Sequence, residues 1–413
     1  MAENGDGQTI LVRDAVRAGG AARPALRFLR LDHGPKLSDA VLAVSDTIPV
    51  SLHRLIGREA KASLGGLIAT FLRAALGRVP RAINAVAREN LARRRIAVPR
   101  VYDLAPLAIA YRRSVAFRAL LLLNELRRAS RANAYTGAIV YNGSLVPQNV
   151  LALHAEETGM ARVYLEGGFF PGTLQVDPKG INGNNSVPRD PAFYRAQAAE
   201  FGPDIADRSL NRRKYKRTPG DTSAEALPPR YVFVPFQVPS DMQIRNLSPW
   251  VADMHAFHRL LERLAKDVPG TVFVIKEHPS FRRSLTTTVE PNPAIHFFND
   301  RVTGDLIRDA DAVLTINSTV GMEGLMLGKK VITLGNACYN VEGIVRHADG
   351  YEELRNAIAG LNEWHPDERL REDFLRYIRN CYLVEGSFRD LPLADLLARF
   401  DLSWTFAAPQ RAR

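Results

Sequence analysis

The sequence predicts an α/β chain of two doubly wound, Rossmann-like domains, and three observations carry that reading. Its 413 residues exceed one ordinary core and suit two domains of about 200 residues each. Short apolar runs alternate with helical stretches, an order that implies parallel sheets. A polar, basic, proline-bearing stretch between Asp204 and Arg230 interrupts the alternation, which then restarts.

Taken in order, the N-terminal region reads as helix-rich up to a buried strand, Gly137–Tyr141, that stops at Asn142-Gly143. A helix to about Gly159 and a strand from Arg162 to Glu166 complete a βαβ unit. The stretch from Gly167 to Pro191 is rich in Gly, Asn and Pro and cannot be regular over its whole length. Loops this long inside a compact domain are usually functional or disordered. Beyond the interruption, strands are expected at 231–236, 272–276, 294–298, 312–316 and 331–334, with helices at 250–265, 306–310 and 319–327. Such domains bind ligands beyond the carboxyl ends of their strands. Two of them facing a central cleft make a GT-B-type architecture.

The net charge of +11 asks for an acidic partner without choosing among nucleic acid, anionic lipid and phosphorylated small molecules. Much of the excess lies between Arg54 and Arg131, where segments such as 67–73 and 117–128 carry apolar residues at helical spacing. Two readings stay open: a basic amphipathic helix on an anionic membrane, or a core helix with a solvated basic face. No RNA-binding signature or zinc-finger spacing accompanies the charge, so nucleic acid is not expected as a partner. Two cysteines, Cys338 and Cys381, offer neither a disulfide framework nor a cysteine metal cluster. No signal-peptide pattern opens the sequence and no stretch approaches about 18 uncharged apolar residues, so a cytoplasmic protein is expected.

Four stretches could carry chemistry. Asn317-Ser318-Thr319-Val320-Gly321-Met322-Glu323-Gly324 follows a buried strand, where free backbone N–H groups and a helix end suit a phosphate. Glu323, one turn on, is placed to accept ribose hydroxyls. The alternative is a simple Ser or Thr helix cap, which leaves Gly321 and Gly324 unexplained. Lys276-Glu277-His278-Pro279 ends another core strand; proline keeps His278 extended, and an imidazole there can donate to a phosphate or protonate it as it leaves. Gln237 and Asp241, after the first strand of the same domain, either line the cleft or serve turn and cap chemistry. In the N-terminal domain, Glu166 and Asp177 place two carboxylates in one strand-end and loop region. Asp177-Pro178 is equally a turn starter, and Glu166 equally a partner for an arginine. Asn142 and Asn182 join Gln237 and Asp241 as cleft or acceptor candidates.

Set side by side, these stretches resemble the capsule polysaccharide biosynthesis/export family, in its KpsS/LipB group. The matching text is Glu166-Gly167-Gly168-Phe169, Asp177-Pro178-Lys179-Gly180-Ile181-Asn182, Pro235-Phe236-Gln237-Val238-Pro239-Ser240-Asp241, Lys276-Glu277-His278-Pro279 and Asn317-Ser318-Thr319-Val320-Gly321-Met322-Glu323. It covers about Tyr141 to Tyr339, and the first 130 residues stay unplaced. The resemblance implies a retaining β-Kdo glycosyltransferase of GT-B fold that uses CMP-Kdo, with a (lyso)phosphatidylglycerol-type lipid or Kdo-lipid acceptor in capsule linker synthesis. His278, Pro279, Ser318 and Thr319 then look like the residues that hold CMP phosphate, with Lys276, Asn317 and Glu323 beside them. Asp177 would form the covalent Kdo adduct with Glu166 assisting. Gly167 departs from relatives, where that position is often polar.

The resulting expectations are an N-terminal acceptor and catalytic domain at 1–215, a linker at 216–230, a nucleotide-sugar-binding domain at 231–395 and a tail at 396–413. No cofactor and no metal are expected. The expected partners are a CMP-sugar donor, an anionic lipid acceptor, other capsule biosynthesis proteins and the cytoplasmic face of the inner membrane. The alternatives are a sialyltransferase-like enzyme or glycerophosphotransferase on the same scaffold, a non-catalytic export or scaffold protein, and a membrane-surface module.

Overall fold

The structure, a computed structural model, describes residues 26–211, 226–280 and 284–407. The expected linker therefore lies outside the described residues up to position 225. The strands among the described residues are β1 (Phe28–Leu31), β2 (Ser45–Ile48), β3 (Gly137–Tyr141), β4 (Ala161–Gly167), β5 (Thr173–Asp177), β6 (Val232–Pro235), β7 (Phe273–Lys276), β8 (Ile295–Phe297), β9 (Ala312–Thr315), β10 (Lys330–Thr333), β11 (Arg346–His347) and β12 (Val384–Glu385). They form two six-stranded sheets, ordered β2-β1-β3-β4-β5-β12 and β8-β7-β6-β9-β10-β11. Each sheet is the centre of one compact unit: 26–167, 172–181 and 384–407 for the first, and 168–171 with the described residues of 182–383 for the second. The two Rossmann-like domains of a GT-B-type chain are both present.

In the first unit the sheet is parallel from β2 through β4, then antiparallel at β4–β5 and β5–β12. The N-terminal region is helix-rich as expected, but it opens with two strands, β1 and β2, that the sequence reading did not include. Phe28 and Leu29 of β1 are fully buried, while β2 is the polar edge strand Ser45-Asp46-Thr47-Ile48. Four residues with Arg30 inside them are too few for a period-2 signal to emerge.

Between β2 and β3 the chain makes a helical excursion through α1 (Leu52–Ala62), α2 (Leu64–Ala75), α3 (Arg81–Ala97) and the 28-residue α4 (Ala105–Ala132). Segments 67–73 and 117–128, which read alike in sequence, part company here. On α4, Ala119, Leu121, Leu122 and Leu126 are fully buried, so 117–128 is a core helix. On α2, Ile68, Phe71 and Leu72 stay about half exposed. The excursion is fastened by an ionic cluster around two buried carboxylates: Arg128 donates to Glu59 and, at 2.7 Å, to Glu125, which also accepts from Arg58. After β3 comes α5 (Gln148–Glu157), whose buried His154 shares a 2.8 Å hydrogen bond with Ser130.

The domain boundaries differ from expectation at both ends. Residues 182–211 belong with the second unit, where buried Tyr194 packs edge-on to Phe374 and Tyr377. Residues from 384 onward return to the first: β12 pairs with β5, and Phe400 stacks on Phe28 at 5.4 Å. Apolar pairing across that distance in sequence leaves no local signal.

The second sheet is parallel throughout. Starting from β6, the chain lays β7 and β8 to one side, then crosses to place β9, β10 and β11 on the other. This is the 3-2-1-4-5-6 order of dinucleotide-binding folds, with its crevice where the order reverses, between β6 and β9. The helices α6 (Met254–Asp267) and α7 (Thr319–Met326) cover this sheet, and Val234, Phe257, Leu261, Ile275 and Leu314 are fully buried in the core beneath α6.

Candidate functional site

The reversal point of the second sheet gathers the C-terminal candidates. The carboxyl ends of β7, β6 and β9 lie side by side, carrying His278, Gln237 and Asn317-Ser318 respectively. The His-Pro and Asn-Ser-Thr turns do not lie on adjacent strands: β6 stands between them and Gln237 fills the gap.

Asn317 is buried and fully engaged. Its Oδ1 accepts from Gln237 Nε2 at 3.0 Å, and its Nδ2 donates to the carbonyls of Gln243 and Leu247. Ser318 is the N-cap of α7, its Oγ accepting from Val320 N–H at 3.2 Å. Thr319 follows at the first helical position and is partly exposed. The helix end, its remaining N–H groups and the Thr319 hydroxyl are the parts of this turn that can face an anion.

Packing accounts for the two glycines that capping left unexplained. A Cβ at Gly321 would collide with Tyr339 Oη, and one at Gly324 would sit 3.1 Å from Val313 and 3.2 Å from Val331. Glycine lets α7 press against the sheet and Tyr339. Tyr339, which sequence reasoning missed, is buried and donates to the Ser318 carbonyl. Burial, then the neighbouring Cys338 and Glu323, push its phenol well above the usual tyrosine range. Glu323 itself is 2% exposed, so it faces the interior rather than a ribose.

The Lys-Glu-His-Pro stretch divides in the same way. Lys276 is buried, its Nζ donating to the carbonyls of Asn299 and Arg301 at 2.5 and 2.6 Å. Glu277 accepts from Leu285 N–H, Ser284 Oγ and Asn299 Nδ2. These two residues shape the loop. His278 is exposed, and its Nδ1 accepts from Ser280 N–H at 3.1 Å. That bond assigns the proton of the neutral ring to Nε2, which becomes a donor. Pro279 is half-buried behind it. Asp241 is exposed and caps the helix Met242–Leu247 through a 3.0 Å bond from Gln243 N–H.

Asn182, expected in the N-terminal domain, lies in the second unit with a φ of 52°. Next to it, a Cβ on Gly183 would strike the Asn336 carbonyl and come within 2.9 Å of Leu247. The Asn182 turn therefore sits against the segment whose Leu247 carbonyl accepts from Asn317.

In the first unit, Glu166, Asp177, Gln175 and Tyr164 share one face of the β4–β5 ladder, with Glu166 opposite Gln175 and Tyr164 opposite Asp177. Asp177 is fully buried, and its Oδ1 accepts from Lys179 N–H at 2.7 Å and Gly180 N–H at 3.0 Å. That is the Asp-Pro turn geometry. Glu166 is half-buried; its Oε2 accepts from Asn142 Nδ2 at 2.6 Å and its Oε1 from Gly167 N–H. Asn142 reaches it from a left-handed backbone, φ 60°. Burial, then the Glu166 carboxylate, raise the Tyr141 phenol above its usual range. The first sheet reverses between β1 and β3, which brings Asp32-His33-Gly34 beside Asn142-Gly143. Buried Gln148 joins the two ends, donating to the His33 carbonyl and accepting from Tyr141 N–H at 3.0 Å. The His33 turn was missed because β1 was, although Gly34-Pro35 signals a turn.

Fold and site together define a chain with two Rossmann-like domains and a polar, anion-suited crevice in the second. Residues 207–388 match the family model described as capsule polysaccharide biosynthesis protein. The chain is 44% identical over 309 residues to protein FixF of Sinorhizobium fredii, covering 74% of this chain and 75% of that one. It is 24% identical to the capsule polysaccharide export protein KpsS of Escherichia coli over 284 residues, 54% of this chain and 72% of KpsS. Among solved structures, KpsC of Thermosulfurimonas dismutans, a beta Kdo 2,4 transferase, matches with 19% identity and a TM-score of 0.44 over 65% of this chain and 87% of that one. The protein belongs to the capsule polysaccharide biosynthesis family.

Proposed function

We propose that the protein is a retaining β-Kdo glycosyltransferase, taking Kdo from CMP-Kdo and passing it to a (lyso)phosphatidylglycerol-type lipid or Kdo-lipid at the cytoplasmic face of the inner membrane. The observation that carries this reading is the crevice between β6 and β9, with exposed His278 on one side and the Ser318–Thr319 helix end on the other. A CMP-sugar carries a single phosphate. One imidazole donor and one helix N-terminus supply what a single anion needs.

Two displacements balance the chemistry. A carboxylate oxygen attacks the anomeric carbon, the bond from that carbon to the phosphate oxygen breaks, and CMP leaves with the electron pair while His278 Nε2–H donates to it. The acceptor hydroxyl then attacks the same carbon, loses its proton to a base, and frees the carboxylate, so two inversions give retention. Glu166 takes the nucleophile role in this reading. Asp177 is sealed and committed to its turn, whereas Glu166 is half-buried with Asn142 orienting it. No metal is given a step.

The test is incubation with CMP-Kdo, generated in place, and a fluorescent lysophosphatidylglycerol, followed by mass spectrometry of lipid and protein. A Kdo mass on the lipid, and on the peptide holding Glu166 in a slowed variant, is expected. An adduct on the Asp177 peptide would reassign the nucleophile. Thermal protection by UDP but not CMP would remove the Kdo reading and favour another nucleotide-dependent transferase.

A further inference from the structure

Thirteen large apolar side chains stand exposed among the described residues, and eleven of them lie between Leu64 and Ile109. Scattered exposure is normal on a soluble surface; concentration in one segment is not. On α2, Leu64, Ile68, Phe71 and Leu72, followed by Leu76, recur at the spacing of one helical face. The opposite face is accounted for: Thr70 and Ala74 are buried, and Thr70 accepts a hydrogen bond from Asn124 of α4. A second exposed run, including Ile96, Val101 and Leu104, follows where α3 turns into α4.

Charge identifies what meets this face. Residues 64–113 contain ten arginines against Glu89 and Asp103, a net +8 of the chain's +11. Arg73, Arg78, Arg81, Arg93 and Arg100 are exposed. We propose that α2 docks the protein on an anionic lipid bilayer, its apolar stripe entering the boundary between head groups and acyl chains while the arginines meet lipid phosphates. A second copy of the chain would set +8 against +8. Nucleic acid would satisfy the arginines but leave a stripe of four aliphatic side chains and one phenyl ring, Phe71, largely in water. No helix among the described residues is long and apolar enough to cross a membrane, so α2 lies along the surface. The proposal goes beyond the transferase reading and does not rest on it, because its test uses no sugar.

The experiment is cosedimentation of the full chain with phosphatidylcholine vesicles, with and without about one-third phosphatidylglycerol. Binding to the anionic vesicles is expected to be at least about tenfold stronger than to neutral ones and to weaken in about 0.5 M salt. The variant Ile68→Ser/Phe71→Ser/Leu72→Ser should lose about tenfold or more at unchanged melting temperature. Arg73→Gln/Arg78→Gln/Arg81→Gln should lose the preference for anionic vesicles, and it decides the matter if the serine variant melts early. Wild-type protein that ignores vesicles, or variants that bind as before, would overturn the proposal. So would light scattering that shows a dimer which the serine variant splits, since the face would then belong to a second copy.

Discussion

Gln237 and Asn317 hold each other across the reversal point of the second sheet. Gln237 Nε2 donates to Asn317 Oδ1 at 3.0 Å, and Asn317 N–H donates back to Gln237 Oε1 at 3.3 Å. The Asn317 amide also donates to the carbonyls of Gln243 and Leu247, so one buried side chain ties three segments at the crevice floor. Asn317→Asp turns two donors into acceptors that face carbonyls. Leaving such buried groups unpaired costs about 1–3 kcal/mol each. The melting temperature is expected to drop and CMP protection to vanish together; an unshifted melting curve would contradict this.

Lys276 and His278 are two residues apart and should respond oppositely. Lys276→Met strips the Asn299 and Arg301 carbonyls of their buried donor and should destabilise the fold by about 1–3 kcal/mol in urea titration. His278→Ala, at an exposed position, should leave that titration unchanged and lower turnover about 10²-fold or more, the usual scale for a lost proton donor.

Gly321→Ala adds a methyl group where Tyr339 Oη already lies. Overpacking of this kind costs about 1–3 kcal/mol. Adding Tyr339→Ala removes the hydroxyl and the ring carbons that the methyl group would meet, so the double variant should lose less than the two single variants together while giving up the bond to the Ser318 carbonyl. A double variant less stable than the sum of its parts would refute the packing explanation for this glycine.

Burial pushes the Glu125 carboxyl up, but hydrogen bonds and charge from Arg128 and Arg58 outweigh it and hold it below the usual range. Arg128→Met would leave Glu125 with Arg58 and Glu59 with the neutral Asn124 amide, the two carboxylates no longer bridged. The carboxylates are buried but Arg58 is half exposed, so the cost should fall below the figure of about 3–5 kcal/mol for a fully buried pair. The loss should appear as earlier urea unfolding and be smallest at acid pH, where the carboxylates take up protons.

His154 and His258 are both buried, and burial lowers each below the ordinary imidazole value despite the nearby Glu157 and Glu262. A folded-state value below the unfolded one means that protons favour the unfolded chain. Their contribution is fully present above about pH 6.5 and is lost as the pH falls below it. The melting temperature should therefore decline between about pH 6.5 and 5.5, and His154→Gln/His258→Gln should flatten that decline.

The second sheet was legible because its strands are parallel and covered on both faces, so Val232–Pro235, Phe273–Lys276 and Ala312–Thr315 read as continuous apolar runs. The turns at His278 and Ser318 were legible because Pro and Ser have fixed backbone preferences at strand ends. Side-chain direction was not. Glu323 and Lys276 carry the chemistry of a ligand site, but tertiary packing turns both inward. The ends of the first sheet were illegible for another reason: β1 is short and interrupted by Arg30, and β12 finds its partner some two hundred residues back in the chain.

That late return has a consequence for synthesis. The second domain's residues all lie between positions 168 and 383, whereas the first domain's outer strand and closing helix, α8 (Leu393–Ala407), emerge from the ribosome after all of them. During translation the second domain can reach its folded state while the first still exposes an open β5 edge and the apolar patch that Leu396 and Phe400 will cover. A chain stopped near residue 380 would carry a folded second sheet and a half-finished, aggregation-prone first one. Emergence of residues 384–407 is thus the step that completes the domain begun first.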